Sequence, residues 1–283
     1  MRVLVTGLDG FTGQYVRRKL EEHGHEVAGL SADLTDSDAV EQDVRSLQPE
    51  AVIHLAAISF VGHGNANAFY QVNLIGTRNL LDALARHASN LQCVLLASSA
   101  NVYGNTVEGV IDESVLPSPV NDYAVSKLAM EYTSRLWMDK LPIVIARPFN
   151  YTGAGHDTRF VIPKLIQHFA RRAERIELGN LDVEREFNDV RTISEAYLRL
   201  LQHGRPGQTY NICSGRPVNL QSVIETLQRI TGHALQINVN PAFVRANEVH
   251  RLCGSPAKLE ECIGQLQHPS LEETLRWMLS ESE

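Results

Sequence analysis

Short apolar runs alternate along the chain with stretches whose apolar residues recur every three or four positions. Val3, Leu4 and Val5 form the first run, closed by Thr6 and Gly7. A helix over 14–23 follows, with Val16 and Leu20 on one face and Gly24 as its stop. The same alternation predicts strands over 27–30, 51–55, 94–98 and 143–146. Between them it predicts helices over 39–47, broken by Pro49, and over 77–87 and 123–136. Continuous apolar strands separated by amphipathic helices imply an α/β fold with a doubly wound parallel sheet covered on both faces. Beyond position 150 the pattern loosens, with helices expected over 160–172 and 194–202 and a strand over 209–212. The expected organisation is a first domain over 1–150 and a smaller α/β lobe drawn mainly from 151–283. Segments near 188–213 return to the first domain. The sequence contains no internal repeat and no low-complexity linker.

Composition narrows the class without naming it. The chain has 283 residues, 43% of them hydrophobic and 21% charged, as in ordinary globular proteins. A formal net charge of -7 argues against a nucleic-acid partner, although a locally basic pocket could still hold a phosphate-bearing small molecule. Cys93, Cys213, Cys253 and Cys262 lack zinc-type spacing, and the eleven histidines form no HxH or HExxH pattern, so no metal is expected. Cys93 and Cys213 lie in apolar runs and read as buried thiols, which fits a cytoplasmic location. His54 lies in a buried strand and reads as a satisfied core histidine. Trp137 and Trp277 read as packing residues on helices. No apolar run approaches the roughly 18 residues of a membrane span. The first strand begins at Arg2 or Val3, so no signal peptide is expected.

Candidate chemistry sits where the strands end. Gly7, Gly10, Phe11, Thr12 and Gly13 lie between the first strand and the first helix. Glycines there let backbone amides approach a pyrophosphate at a helix N-terminus. The spacing is GxxGxxG rather than GxGxxG. The second strand ends at Ser31, where NAD-binding sheets place an acidic residue against the adenosine ribose. Without that carboxylate, and with no Arg replacing it, the cofactor can be NADP(H) or NAD(H), leaning to NADPH. Asp33, followed by Leu34, either touches the adenine edge or caps the next helix.

Tyr123 and Lys127 stand four residues apart, on one face of a predicted helix. An ammonium favours the phenolate of a neighbouring tyrosine. The phenol can then exchange a proton with a carbinol or carbonyl oxygen. Ser99 follows a buried strand and can bond the same oxygen; alone it would read as a turn-forming serine. Ser59, after an earlier strand, either faces a substrate or simply forms a turn.

Taken together, TGLDGFTG at 6–13, DL at 33–34, HLAA at 54–57, VNLIGT at 72–77, SSANVYG at 98–104, YAVSK at 123–127 and ARPFN at 146–150 resemble the extended short-chain dehydrogenase/reductase family, over essentially the whole chain. The resemblance implies a Rossmann-type sheet and a catalytic triad of Ser99, Tyr123 and Lys127, organised in part by Asn73. It adds Leu55, Ala56, Ala57 and Arg147 to the cofactor contacts. The segments ARPFNYTGAGH, FVIP, REFNDVR, AYLRLL, TYNICSG and VRANEVHRLCGSPAKL resemble the branch that reduces GDP-4-keto-6-deoxy-mannose. In that branch, residues matching Asn150, Arg185 and Arg245 face the nucleotide diphosphate, and Glu248 matches a recurrent glutamate. Read without the resemblance, Arg185 between Glu184 and Glu186 is a surface charge cluster.

The resemblance implies NAD(P)H-dependent reduction of the C4 keto group of a GDP-4-keto-6-deoxy-hexose, giving GDP-rhamnose or GDP-6-deoxy-talose. Nucleotide-sugar 4,6-dehydratases carry acidic residues after the catalytic hydroxyl, whereas this chain has Ala100 and Asn101 there. Two alternatives stay open: a nucleotide-sugar 4-epimerase with tightly bound NAD, and a non-catalytic NADP-binding sensor or scaffold. Helices before and at YAVSK commonly pair in this family, so a homodimer is expected.

Overall fold

The computed structural model describes residues 1–62, 64–105, 109–243 and 250–282. Strand β1 (Arg2–Thr6), helix α1 (Phe11–Glu22), strand β2 (Glu26–Gly29), helix α2 (Ser37–Leu47) and strand β3 (Ala51–His54) open the chain. A short α3 (Ala66–Phe69), a run of π-helical turns at Tyr70–Gly76 and α4 (Thr77–His87) lead to β4 (Cys93–Ala97). A 3-10 turn at Ala100–Tyr103 and α5 (Asp122–Ser134) precede β5 (Ile143–Pro148). The chain then leaves the sheet through β6 (Tyr151–Thr152), α6 (Val161–Ala170), β7 (Arg175–Leu178), β8 (Glu184–Arg185) and β9 (Asn188–Asp189). It returns with α7 (Val190–His203) and β10 (Thr209–Ile212). Strand β11 (Val218–Asn219), helix α8 (Leu220–Thr231), strands β12 (Gln236–Val239) and β13 (Arg251–Leu252), and helices α9 (Ala257–Ile263) and α10 (Leu271–Ser280) follow.

Six parallel strands form the main sheet in the order β10-β5-β4-β3-β1-β2. Side chains alternate across a strand, so one run feeds two cores. Val3, Val5, Ile53 and Leu95 pack beneath α1 and α7 against Val16, Leu20, Tyr197 and Leu200. Leu4, Val52, Val94 and Leu96 pack on the other face against Val40 and Val44 of α2 and Leu80 and Leu84 of α4. Helix α9 belongs with the first face, through Leu259 and Ile263. In the smaller lobe α6, α8 and α10 cover Ile176 and Leu178 of β7. The connections turn to opposite sides of β1, toward β2 and toward β3. The carboxyl ends there are the ligand crevice of an open α/β sheet.

Helix boundaries differ from the sequence pattern where function or capping intervenes. α1 begins three residues before the expected position 14, because Phe11 and Thr12 are helical but face a cleft rather than the core. α2 is capped by Asp36, whose carboxylate accepts from Asp38 N and Ala39 N. Asp33 therefore does not cap it; its Oδ1 accepts from Thr35 N and Thr35 Oγ1 in a local turn. α7 starts at Val190 behind its cap Asp189, four residues earlier than periodicity indicates. Helices α3, α8 and α9 escape the pattern, and α10 is signalled only at Trp277, although Ser270 and Glu273 form a capping box visible as S-x-x-E. Among the described residues, no helix is long and apolar enough to cross a membrane.

Candidate active site

The cleft opens at the carboxyl end of β1, and glycine shapes its floor. Gly7 adopts φ +70°, and a Cβ there would lie 3.0 Å from the Ala56 backbone. A Cβ on Gly13 would lie 2.2 Å from the Gly7 carbonyl oxygen. Any side chain at position 13 would push α1 away from the turn. Gly10 is the N-cap of α1, and no side chain bonds the helix end. Gly7, Gly10, Phe11, Thr12 and Gly13 thus present a helix N-terminus to a cleft of ≈ 460 Å³. An elongated phosphate-bearing ligand such as a dinucleotide fits this cradle, because the uncapped amides and helix dipole favour an anion.

The reactive side chains converge on the same cleft. Ser99, Tyr123 and Lys127 all line it, together with Leu55, Ala56, Ala57, Ser59 and Asn150. Asn121 caps α5 by accepting from Ala124 N, which starts the helix in register for Tyr123 and Lys127 to share a face. Burial pushes the Tyr123 phenol up to about 12, and the Ser99 hydroxyl beside it pulls the other way. Burial lowers the Lys127 ammonium to about 8, while Glu131 one turn on pulls it up. Lys127 Nζ donates to the Ala97 carbonyl at 2.8 Å, which anchors it to the end of β4. The Ser99 hydroxyl also accepts from Asn101 N at 3.2 Å, so Ser99 both forms the turn and lines the cleft.

A hydrogen-bond relay ties the glycine turn after β1 to α5, the helix of Tyr123 and Lys127. Ala56 N donates to Thr6 Oγ1 at 3.1 Å, and Thr6 Oγ1 meets His54 Nδ1 at 2.7 Å. His54 Nε2 meets Thr77 Oγ1 at 2.8 Å, and Thr77 Oγ1 donates to Asn73 O at 2.7 Å. With both threonine hydroxyls assigned, His54 carries its proton on Nε2. Burial, helped by the Lys127 charge, lowers His54 to about 3, so it stays neutral as expected of a core histidine. Asn73 continues the relay from the π-helical turns, a backbone form frequent at functional sites. Its Oδ1 accepts from Ile58 N at 2.9 Å, and its Nδ2 donates to Ser126 Oγ at 3.0 Å. Asn73 thus ties the π-helical turns to the Ile58 backbone and to α5, and does not line the cleft.

Other expected contacts have different tasks in the structure. Arg147 lies outside the cleft lining, 5% exposed. Its guanidinium donates to Glu131 at 2.9 and 2.6 Å and to the Tyr103 hydroxyl at 2.9 Å. This pair, with Ser98 donating to Glu131, braces β4, β5 and α5, the elements that lead into Ser99 and carry Tyr123 and Lys127. Leu34 is buried against Gly76, where a Cβ would come within 2.8 Å of its own Cβ. Ser31 and Asp33 lie past the end of β2 and outside the cleft lining. Arg185 sits in β8, between β11 and β13, and its Nη1 donates to the Glu184 carbonyl. Its neighbour Glu186 is fully buried and accepts from Ser214 N, Gly215 N and Gly254 N. Arg245 and Glu248 fall outside the described residues.

The sequence reading missed the mouth of the cleft. Phe11 stacks on His156 at 4.3 Å, His156 on Phe160 at 4.4 Å, and Phe160 meets the edge of Phe60 at 5.7 Å. Arg159 lies 5.3 Å over Phe60 while paired to Asp157 at 2.6 Å. Burial lowers His156 to about 4, so the stacked ring is neutral. Gly153 and Gly155, just after ARPFN, are a loop signal there, but the rings that meet His156 and Phe160 come from two distant segments, at Phe11 and Phe60.

Comparison with known proteins follows the same lines. The NAD dependent epimerase/dehydratase family matches residues 3–213. GDP-6-deoxy-D-mannose reductase of Pseudomonas aeruginosa is 38% identical, over 100% of this chain and 97% of that protein. GDP-6-deoxy-D-talose 4-dehydrogenase of Aggregatibacter actinomycetemcomitans is 35% identical, over 93% and 92%. Among solved structures, RMD from Pseudomonas aeruginosa complexed with NADPH superposes with a TM-score of 0.89 at 37% identity, covering 99% of this chain and 97% of that one.

Proposed function

The chain belongs to the NAD-dependent epimerase/dehydratase family, and on that premise we propose that it reduces the C4 keto group of a GDP-4-keto-6-deoxy-hexose. The observation that carries this reading is the convergence of Ser99, Tyr123 and Lys127 on the cleft floored by the glycine turn, with uncharged Ala100 and Asn101 beside them. Elimination needs an acid and a base at those two places; carbonyl reduction needs neither. The names of the two GDP-sugar relatives, each matched over more than nine tenths of its length, support the guanine nucleotide.

The residues divide the work as follows. Hydride transfer to C4 is the chemistry that a bound reduced nicotinamide supplies. Ser99 holds the C4 oxygen by a hydrogen bond. Tyr123, protonated at neutral pH because burial raises its phenol, gives its proton to that oxygen as negative charge develops. Lys127, cationic below about 8, stabilises the phenolate left behind and binds the nicotinamide ribose. Residues 1–150, with 188–213, hold the dinucleotide; the rest of 151–283, together with Asn150, holds the nucleotide sugar, with Asn150, Arg185 and Arg245 toward its diphosphate and Glu248 among the substrate contacts. The protein works in the cytoplasm as a homodimer. Exposed Ile75, Val125, Tyr132 and Leu136, on or beside α4 and α5, supply an apolar face for the second copy.

The test is a coupled assay. GDP-mannose is converted by a separate dehydratase to the 4-keto-6-deoxy sugar, and this protein is added with NADPH or NADH. Oxidation of the cofactor with a GDP-6-deoxyhexose seen by NMR is the expected result, and the spectrum reads rhamno against talo. Absence of oxidation with both cofactors removes the GDP-sugar assignment. Stoichiometric NAD carried through purification would point to an epimerase instead.

A further inference from the structure

A carboxylate stands at the end of β2, although position 31 is a serine. Asp43, on α2, turns back toward the strand end. Its Oδ2 accepts from Ser31 N, Ser31 Oγ and Ala32 N, each at 2.8 Å. Burial raises the Asp43 carboxyl, but the bonds from Ser31 and Ala32 outweigh it and leave the group below the ordinary aspartate range. Two successive backbone N–H groups and a hydroxyl that converge on one point form an anion cradle. In a dinucleotide-binding sheet the end of the second strand is where the adenosine 2′ substituent lies. Here the protein's own anion fills that cradle.

We propose that Asp43 discriminates between the two nicotinamide dinucleotides, taking up the donors that a 2′-phosphate needs and repelling that phosphate, so that NADH binds in preference to NADPH. Asp33, the other carboxylate at this edge, is turned into bonds with Thr35 and adds charge of the same sign. The arrangement works against the lean to NADPH that Ser31 alone gives. The inference rests on the dinucleotide reading of the cleft and is independent of the sugar.

Titration of the purified protein with NADH and NADPH separately, followed by nicotinamide fluorescence with no sugar present, reads the preference directly. NADH is expected to bind about tenfold tighter or more, the scale of one like-charge contact near a protein surface. Asp43→Asn keeps an acceptor for Ser31 but removes the charge, and should close most of that gap. Asp43→Gly frees all three donors and should favour NADPH further. Raising KCl from about 0.02 to about 0.2 M should narrow the gap in the unaltered protein, because screening weakens repulsion. A cationic 2′-phosphate site would show the opposite salt response, and that result overturns the proposal even if neither variant folds. An NADPH-to-NADH affinity ratio unchanged in a folded Asp43→Asn protein also overturns it. Dinucleotide binding without turnover of the GDP-sugar would defeat the substrate reading alone, since these titrations contain no sugar.

Discussion

Around Tyr123 the groups are buried and cross-braced, whereas around Phe60 and Arg159 they are partly exposed and held by rings and loops. Lys127 is anchored to Ala97 and Asn73 to Ile58 and Ser126, while Arg147 is fixed by Glu131 and Tyr103. At the mouth, Arg159 has one carboxylate partner and one ring, and more than half of its side chain is open to solvent. The difference fits the roles proposed for the two ends. Proton transfer tolerates little displacement, and the groups proposed for it sit on regular elements locked from beneath. Admission of a ligand needs contacts that part and re-form, which low-energy stacking and an exposed ion pair allow.

Four substitutions test this contrast. Tyr123→Phe should lower kcat by about 10²–10⁴-fold, the usual size of a general-acid contribution, while fluorescence titration still shows dinucleotide binding. Loss of binding as well would mean that the phenol holds the ligand rather than protonating it. Glu131→Gln leaves the buried Arg147 guanidinium without its counter-charge and should cost about 3–5 kcal/mol in urea unfolding. A cost below about 1 kcal/mol, the level of an exposed pair, would show that this floor is not braced as described.

Lys127 gives a pH signature. Burial holds its ammonium down to about 8, so the cation is present below that pH and lost as pH rises through it. Reduction should therefore decline above about 8 with a one-proton dependence, and Lys127→Met should be slower and lose that break. A break that persists in Lys127→Met belongs to another group. The smallest effect is expected at the mouth. Arg159→Ala removes an exposed cation–ring contact, worth about 0.5–1 kcal/mol. It should raise KM for the nucleotide sugar about threefold and leave kcat nearly unchanged; a large fall in kcat would place Arg159 among the catalytic groups.

The parts readable in the chain were those in which chemistry and local structure share a repeat. Tyr123 and Lys127 lie one helical turn apart, and the glycines at 7, 10 and 13 lie within a single strand-to-helix turn, so spacing puts each set on one element while its chemistry rests on their occurring together. Arg147 was misplaced because a cationic residue at a strand end looks the same whether it meets a ligand or a buried glutamate from a helix. Leu34 presented the same ambiguity, since a leucine beside a binding loop can pack inward as readily as outward. The aromatic mouth drew on positions 11, 60, 156 and 160, and no periodicity links those numbers.

The sequence by itself determined the layered α/β fold, the glycine turn after the first strand and the placing of Tyr123 and Lys127 on one helix face. Each depends on short-range patterning: two-residue alternation, the 3.6-residue turn and the steric freedom of glycine. Only the tertiary structure decided that Asp43 reaches Ser31, that Thr6, His54, Thr77 and Asn73 form one relay, and that Arg147 answers Glu131. Those bonds join separate elements whose closeness is set by packing across the sheet, and a buried polar group must find its partner wherever that packing brings one within reach.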